Sequence, residues 1–465
     1  MVFSGMTFLF VFLPLVTLLY FAVPQKYRAA KNAVLLVFSL LFYFVGEPKY
    51  LLLMLVSILA NYLFALLIDN SKYKKLFLIL SVIYNIAVIG VFKYTDFVIA
   101  NVNGIFGFEL PLANIVMPIG ISFFTLQSMS YVFDVYMGTV AVQKNLLSVA
   151  TYIALFPQLV AGPIVRYETV AEELEKRQET VKKATEGVIR FIYGLSKKMI
   201  IANALGKAAT EIFEMPADLR GMAIAWLGAI FYALHIFFDF GGYSDMAIGL
   251  GKVFGFTFLE NFDYPYISKS ITEFWRRWHI SLGTWFRDYL YIPLGGNRHG
   301  KWRQVLNIAI VWALTGLWHG ASWNFVIWGV YFAIILILEK FVLLKLLKKL
   351  PAFISHIYAL ILILIGWVIF NSADMAAVFE YIGNMFNVTA FSLSLDRCIY
   401  HLMQYKFELV CGVILSIPLT KTVSAKLWDK PWFQVARRVF ALVLLGVSVM
   451  YVAGTSFNPF IYFRF

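Results

Sequence analysis

His319 and His279 are the residues of this chain best suited to chemistry. His319 lies in "VWALTGLWHGASWNFVIWGVYF". From Gln304 to Ser322 it is the one ionisable side chain, and no other follows until Glu339. An ionisable group at membrane depth is costly unless it faces a cavity or a partner, so function is the first hypothesis for it. His279 lies in "EFWRRWHISLGTWFRDYLYIPLGGNRHG", Glu273 to Gly300, a polar and aromatic segment in a largely apolar chain. Histidine titrates near neutrality and can take a proton from a hydroxyl. Transfer of an activated acyl group to an alcohol is one of several chemistries such a pair would serve.

Other polar residues would support rather than react. Arg287 and Asp288 form an adjacent opposite-charge pair, and Asp239, Tyr243 and Asp245 would line a polar surface within "HIFFDFGGYSD". His235 and Asp239 share a helix face at i, i+4, which is weak evidence for catalysis. His356 and His401 fall near span ends and His299 in a loop, where solvation suffices. The chain has no nucleophile elbow, P-loop, Rossmann fingerprint or HExxH motif. Cys398 and Cys411 suggest neither a disulfide framework nor a zinc site, and no metal site is expected.

The elements that position these residues are membrane helices. Apolar residues make up 61% of the chain and charged ones 14%, about half the charge of a soluble domain. Mean hydropathy is +0.78. Only helices and closed barrels satisfy their own backbone in lipid, and the alternating strands of a barrel are absent. The composition therefore predicts an all-α, polytopic integral membrane protein with roughly 11–13 spans, some of them re-entrant. The spans begin near Met6, Ala33, Tyr50, Leu76, Met117, Leu147, Val188, Ala223, Leu306, Trp323, Phe353, Phe407 and Val439. The first reads as a retained span rather than a signal peptide, because Lys26, Arg28 and Lys31 follow it. A single domain over 1–465 is expected, with its core motifs in 117–339. "RYETVAEELEKRQETVKK" reads as an amphipathic, solvated linker helix.

A net charge of +13 does not indicate nucleic acid here, because the basic residues sit in short loops where they set topology and meet anionic lipid. The loops "PQKYRAAK" and "SKYKK" are assigned to the cytoplasm. Residues 264–303, with seven Lys/Arg and two acids, are assigned to the same side.

Within that segment Ser270 and Glu273 make a capping box. Phe274, Trp275, Trp278, Leu282, Trp285, Phe286 and Tyr289 share one arc of roughly 120° on a single continuous helix. His279 stands at the edge of that arc. The stretch around His319 is too long for one crossing, since 35 residues of helix would extend ~50 Å against a ~30 Å core. A break near Gly316 and Gly320 is expected.

"FWRRWHISLGTWFRDYLYIPLGGNRHG" followed by "LTGLWHGASWNFVIWG" resembles the membrane-bound O-acyltransferase family, in particular its bacterial alginate O-acetylation branch. "VFSGMTFLFVFLPL", "MPIGISFFTLQSMSYVFDVY", "FPQLVAGPIVRY" and "FDFGGYSDMAIG" extend the resemblance to about Glu339. It implies a crown of tilted helices around a central tunnel, with His319 as the catalytic histidine and His279 as the second family histidine. Arg287 and Asp288 would fix the polar segment or contact the donor, Asn324 would orient His319, and Trp318 would line the tunnel. The implied donor is cytosolic acetyl-CoA or another acyl thioester, with no bound cofactor. The implied acceptor is a polysaccharide outside the bacterial cytoplasmic (inner) membrane, reached through a separate extracytoplasmic SGNH-type acetyltransferase. His235 stands where the branch carries a glutamine or similar residue, and Gly241 where it more usually has serine. The competing readings are a D-alanyl transfer protein of teichoic acid modification and a transporter or flippase without covalent chemistry.

Overall fold

The computed structural model describes residues 2–160, 162–391 and 394–454, and every regular element among them is helical. Among the described residues six helices are long and apolar enough to cross a membrane: Arg28–Gly46, Pro48–Asn70, Lys74–Phe106, Met222–Val253, Ala352–Asn371 and Pro431–Gly454. The bent pair Lys406–Leu415 and Leu419–Leu427 makes up to seven. The other spans expected from sequence fall on shorter or interrupted helices. Phe8–Ala22 is short, Leu146–Ala154 stops before Pro157, and Gly300–His319 is separated from Trp323–Leu338 by Gly320. The protein is a multi-pass, all-α membrane protein.

Contacts divide the chain into two compact units, Met1–Phe191 with Ser244–Leu259, and Ile192–Tyr243 with Glu260–Phe465. In the first unit, glycines let helices approach closely. A Cβ at Gly249 would strike the Gly187 carbonyl, so neither position accepts a side chain without movement. The linker expected as one solvated helix is two pieces, Tyr167–Glu175 and a helix from Val181, with buried charge between them. Glu179 accepts hydrogen bonds from the Tyr20 hydroxyl and from Arg28 Nη1 at 2.6 Å. Arg177 donates to Asn32 Oδ1 at 2.7 Å and to the Phe254 carbonyl at 3.0 Å. Glu168, Glu172, Glu175, Lys176, Lys182 and Lys183 are exposed as expected, but the charges of Arg177 and Glu179 are internally paired, with side chains 0% and 1% exposed.

The second unit carries both histidines. Its apolar core gathers Phe237, Tyr266, Phe274, Trp278, Trp328, Phe332 and Trp367. The Gly300–His319 and Trp323–Leu338 helices form a hairpin whose arms meet at glycines. A Cβ at Gly316 would strike the Phe325 carbonyl, and one at Gly329 the Trp312 carbonyl. Gly316 therefore serves close packing inside an unbroken helix. The break is at Gly320, whose backbone is extended.

Candidate active site

The polar segment is not the single helix its periodicity suggests. Ile271–Arg277 ends at Trp278, and Ile280–Phe286 begins after His279, which adopts a left-handed backbone with φ +46°. A non-glycine residue in that region costs of order 1–3 kcal/mol and persists only when its surroundings over-determine it. Here they do so through backbone groups on both sides of the break. Asp263 N donates to the Arg277 carbonyl at 2.9 Å, and Ile280 N to the Asn261 carbonyl at 3.0 Å. The short run Asn261–Asp263 thus pairs groups that the interrupted helix releases. The Ser270 half of the capping box is present, with Ser270 Oγ accepting from Glu273 N at 3.0 Å, whereas Glu273 Oε2 accepts from the amide of Lys269, one residue before the N-cap, at 3.0 Å.

The break turns His279 into the interior, where it is 2% exposed. Its Nδ1 lies 3.3 Å from Asn261 Oδ1. That oxygen also takes the Ser281 amide at 3.1 Å and the Ser281 hydroxyl at 2.9 Å. A backbone amide only donates, so the Asn261 atom facing it is the carbonyl oxygen, and that oxygen can only accept. Nδ1 therefore carries the proton and Nε2 the lone pair. Nε2 is buried and has no hydrogen-bond partner among the described residues. Burial pushes the His279 pKa down to about 3, so the ring is neutral at physiological pH.

His319 closes its helix, 7% exposed. Its ring meets Trp328 at 5.0 Å and Phe370 at 5.2 Å, both near perpendicular. Trp318 joins the two histidines: its ring centroid is 6.1 Å from that of His279 and 5.0 Å from that of His319. Phe240 packs edge-on against His279 at 4.6 Å. The structure thus brings His279, Trp318 and His319 together in one aromatic interior.

The remaining sequence candidates fall around this centre or away from it. Asp239 is fully buried and paired with Lys198, and Tyr243 is buried one turn further along the same helix. Asp245, in the first unit, pairs with Arg190 at 2.8 Å. Asn324 donates to the carbonyls of Ser372 at 3.0 Å and Phe370 at 3.5 Å, holding the start of its helix against the end of Ala352–Asn371. Arg287 and Asp288 pair with each other at 2.6 Å, with Arg287 largely exposed. Arg277 is engaged by Glu273 at 3.0 Å and Asp263 at 3.2 Å. His235 Nδ1 bonds the Ala202 carbonyl at 2.8 Å, and its ring fills the space beside Gly206, which is a packing role. At Gly241 a Cβ would make only ordinary contacts, with Phe237 and Phe262, so packing does not require glycine there.

Sequence reasoning missed Asn261 and Lys198. Lys198 carried a signal, an ionisable residue inside an apolar span. Asn261 carried none, because its partners are set by the chain reversal before Ile271.

Comparison with known proteins follows the same residues. The sequence profile described as the membrane-bound O-acyltransferase family matches residues 141–383, which include both histidines. The chain is 38% identical to the probable alginate O-acetylase of Azotobacter vinelandii, over the full length of both. It is 31% identical to the peptidoglycan O-acetyltransferase of Helicobacter pylori, covering 100% of this chain and 98% of that one. It is also 31% identical to the teichoic acid D-alanyltransferase of Bacillus subtilis, covering 50% of this chain and 61% of the relative.

Proposed function

This chain belongs to the membrane-bound O-acyltransferase family and is an O-acyltransferase; from that premise we propose that it moves an acetyl group from a cytosolic thioester, acetyl-CoA, towards a polysaccharide outside the bacterial cytoplasmic membrane. The observation that carries this reading is the pairing of two buried histidines about Trp318. In the reaction, a hydroxyl oxygen attacks the thioester carbonyl as His319 removes the hydroxyl proton. A C–O bond forms, the C–S bond breaks, and the proton passes from the imidazolium to the departing thiolate. His279, neutral and with Nε2 available, accepts a hydrogen bond from the reacting groups. Arg287, largely exposed directly after the Ile280–Phe286 helix, meets phosphates of the donor, and an SGNH-type partner relays the acetyl group to the polymer.

The acetyl choice is supported by relatives named for O-acetylation that match this chain end to end, whereas the D-alanyl relative matches half of it. The test is mild alkaline release of esters from cell-surface polymer in a deletion strain complemented with wild type or His319→Ala at matched membrane levels. Removing a general base lowers the rate roughly 10²- to 10⁴-fold, so acetate should disappear in both the deletion and His319→Ala. Loss of D-alanine instead would assign the teichoic acid chemistry. Retention of acetate in His319→Ala would remove that residue from the mechanism.

A further inference from the structure

Glu339 is the next acidic or basic residue after His319 along the chain, and the proposed acyl transfer gives it no task. It is 0% exposed, at the point where the Trp323–Leu338 helix passes into the wider turn Glu339–Leu343. Its carboxylate caps the Ile271–Arg277 helix. Oε1 accepts from Ile271 N at 2.7 Å and from the Tyr358 hydroxyl at 3.2 Å. Oε2 accepts from Thr272 N at 2.7 Å and from Thr272 Oγ1 at 2.6 Å. First-turn amides of a helix have no acceptor within it, and an anionic side chain there also meets the positive end of the helix dipole.

We propose that Glu339 is a positioning residue for His279, fixing the separation of the two imidazoles; this rests on the reading of His279 as a group that assists acyl transfer. The capped helix runs seven residues from Ile271 to the break that holds His279. The Trp323–Leu338 helix touches the other histidine through Trp328, at 5.0 Å from the His319 ring. It also packs along the capped helix through Trp328 and Phe332, which lie 5.5 and 5.0 Å from Trp275. One rigid helix therefore contacts His319 near its start and clamps the His279 helix at its end. Both carboxylate oxygens act as acceptors. Glutamine keeps the shape but turns an NH2 group, which cannot accept, towards a donor.

The experiment measures the initial rate of acetate-ester deposition on surface polymer per folded molecule, with folded protein quantified by size exclusion in detergent. Glu339→Gln should lower the rate roughly 10- to 100-fold, the scale expected when catalytic groups shift by about an ångström. In a His279→Ala background the same change should have no further effect, because its influence runs through the imidazole. If Glu339→Gln fails to fold, Thr272→Val removes one of the four bonds and must show the same non-additivity with His279→Ala. Equal fold-losses in both backgrounds, or no loss in either, would overturn the positioning role. A full rate in His279→Ala alongside an abolished rate in His319→Ala would remove His279, and Glu339 with it, while the acyl-transfer reading stood. Full rates in both histidine variants would sink that reading itself.

Discussion

Asn261 Oδ1 stands 3.3 Å from His279 Nδ1 and accepts, at the same atom, both the amide and the hydroxyl of Ser281. This fixes the imidazole in one tautomer, and it does so from a residue with no chemical reactivity of its own. Asn261→Leu removes the acceptor while keeping the approximate volume, so the ring is free to rotate or to change tautomer. The expected result is a fall in acyl transfer of roughly 10- to 100-fold, the scale of a misplaced catalytic group. Asn261→Asp should retain more activity than Asn261→Leu because it still accepts from Nδ1. Its added charge should also shift the acid limb of the pH–rate profile upwards. Equal losses in the two variants would show that Asn261 matters only for packing.

His279 also makes the fold sensitive to acid. Its folded pKa is pushed down to about 3 by burial, against an ordinary value of 6.5. Below 6.5 the unfolded chain binds a proton that the folded chain refuses, so stability falls as pH drops from about 6.5 towards 3. At pH 5.5 this amounts to about 1 kcal/mol. Glu179 acts in a lower window. Burial opposes its ionisation, but hydrogen bonds from Arg28 and Tyr20 outweigh burial and hold its pKa at about 2. Its contribution is intact above pH 4.5 and is lost as pH falls from there towards 2. Melting temperatures in detergent at pH 7.5 and pH 5.5 separate the two. Wild type should lose stability between those values, and His279→Gln should lose less. Parallel curves would mean that the ring is hydrated in solution.

Much of the scaffold was legible because local rules govern it. The apolar runs required membrane helices, Ser270 and Glu273 announced a helix start, and the length of the stretch around His319 required a break. The break within the polar segment was hidden, because the aromatic spacing continues across Trp278 and His279 as if the helix did. Its cause is Asn261–Asp263, whose pairing with the interrupted backbone exists only once the chain has folded back. The same reason hid the burial of Arg177 and Glu179. Alternating charge reads as a solvated face when its partners, Tyr20, Arg28 and Asn32, lie far away in sequence. Gly316 misled in the opposite direction, since a glycine that permits a helix contact looks, in sequence, like one that ends a helix.

Lys198 and Asp239 form a buried ion pair, with side chains 3% and 1% exposed, one turn before Tyr243 on the helix whose Phe240 packs against His279. Breaking such a pair from one side leaves an uncompensated charge and costs roughly 3–5 kcal/mol, whereas replacing both partners by apolar residues is often neutral. Lys198→Met and Asp239→Leu should each lower the yield of folded protein sharply, and the double variant should recover most of it. Size exclusion in detergent reads this outcome directly. A double variant as poor as either single one would show that the pair holds more than each other's charge. Acyl transfer per folded molecule in the double variant then measures what Asp239 does beyond scaffolding. Because Phe240 follows Asp239 directly and contacts the His279 ring, we expect a lowered rate even at full yield; an unchanged rate would leave Asp239 as scaffold alone.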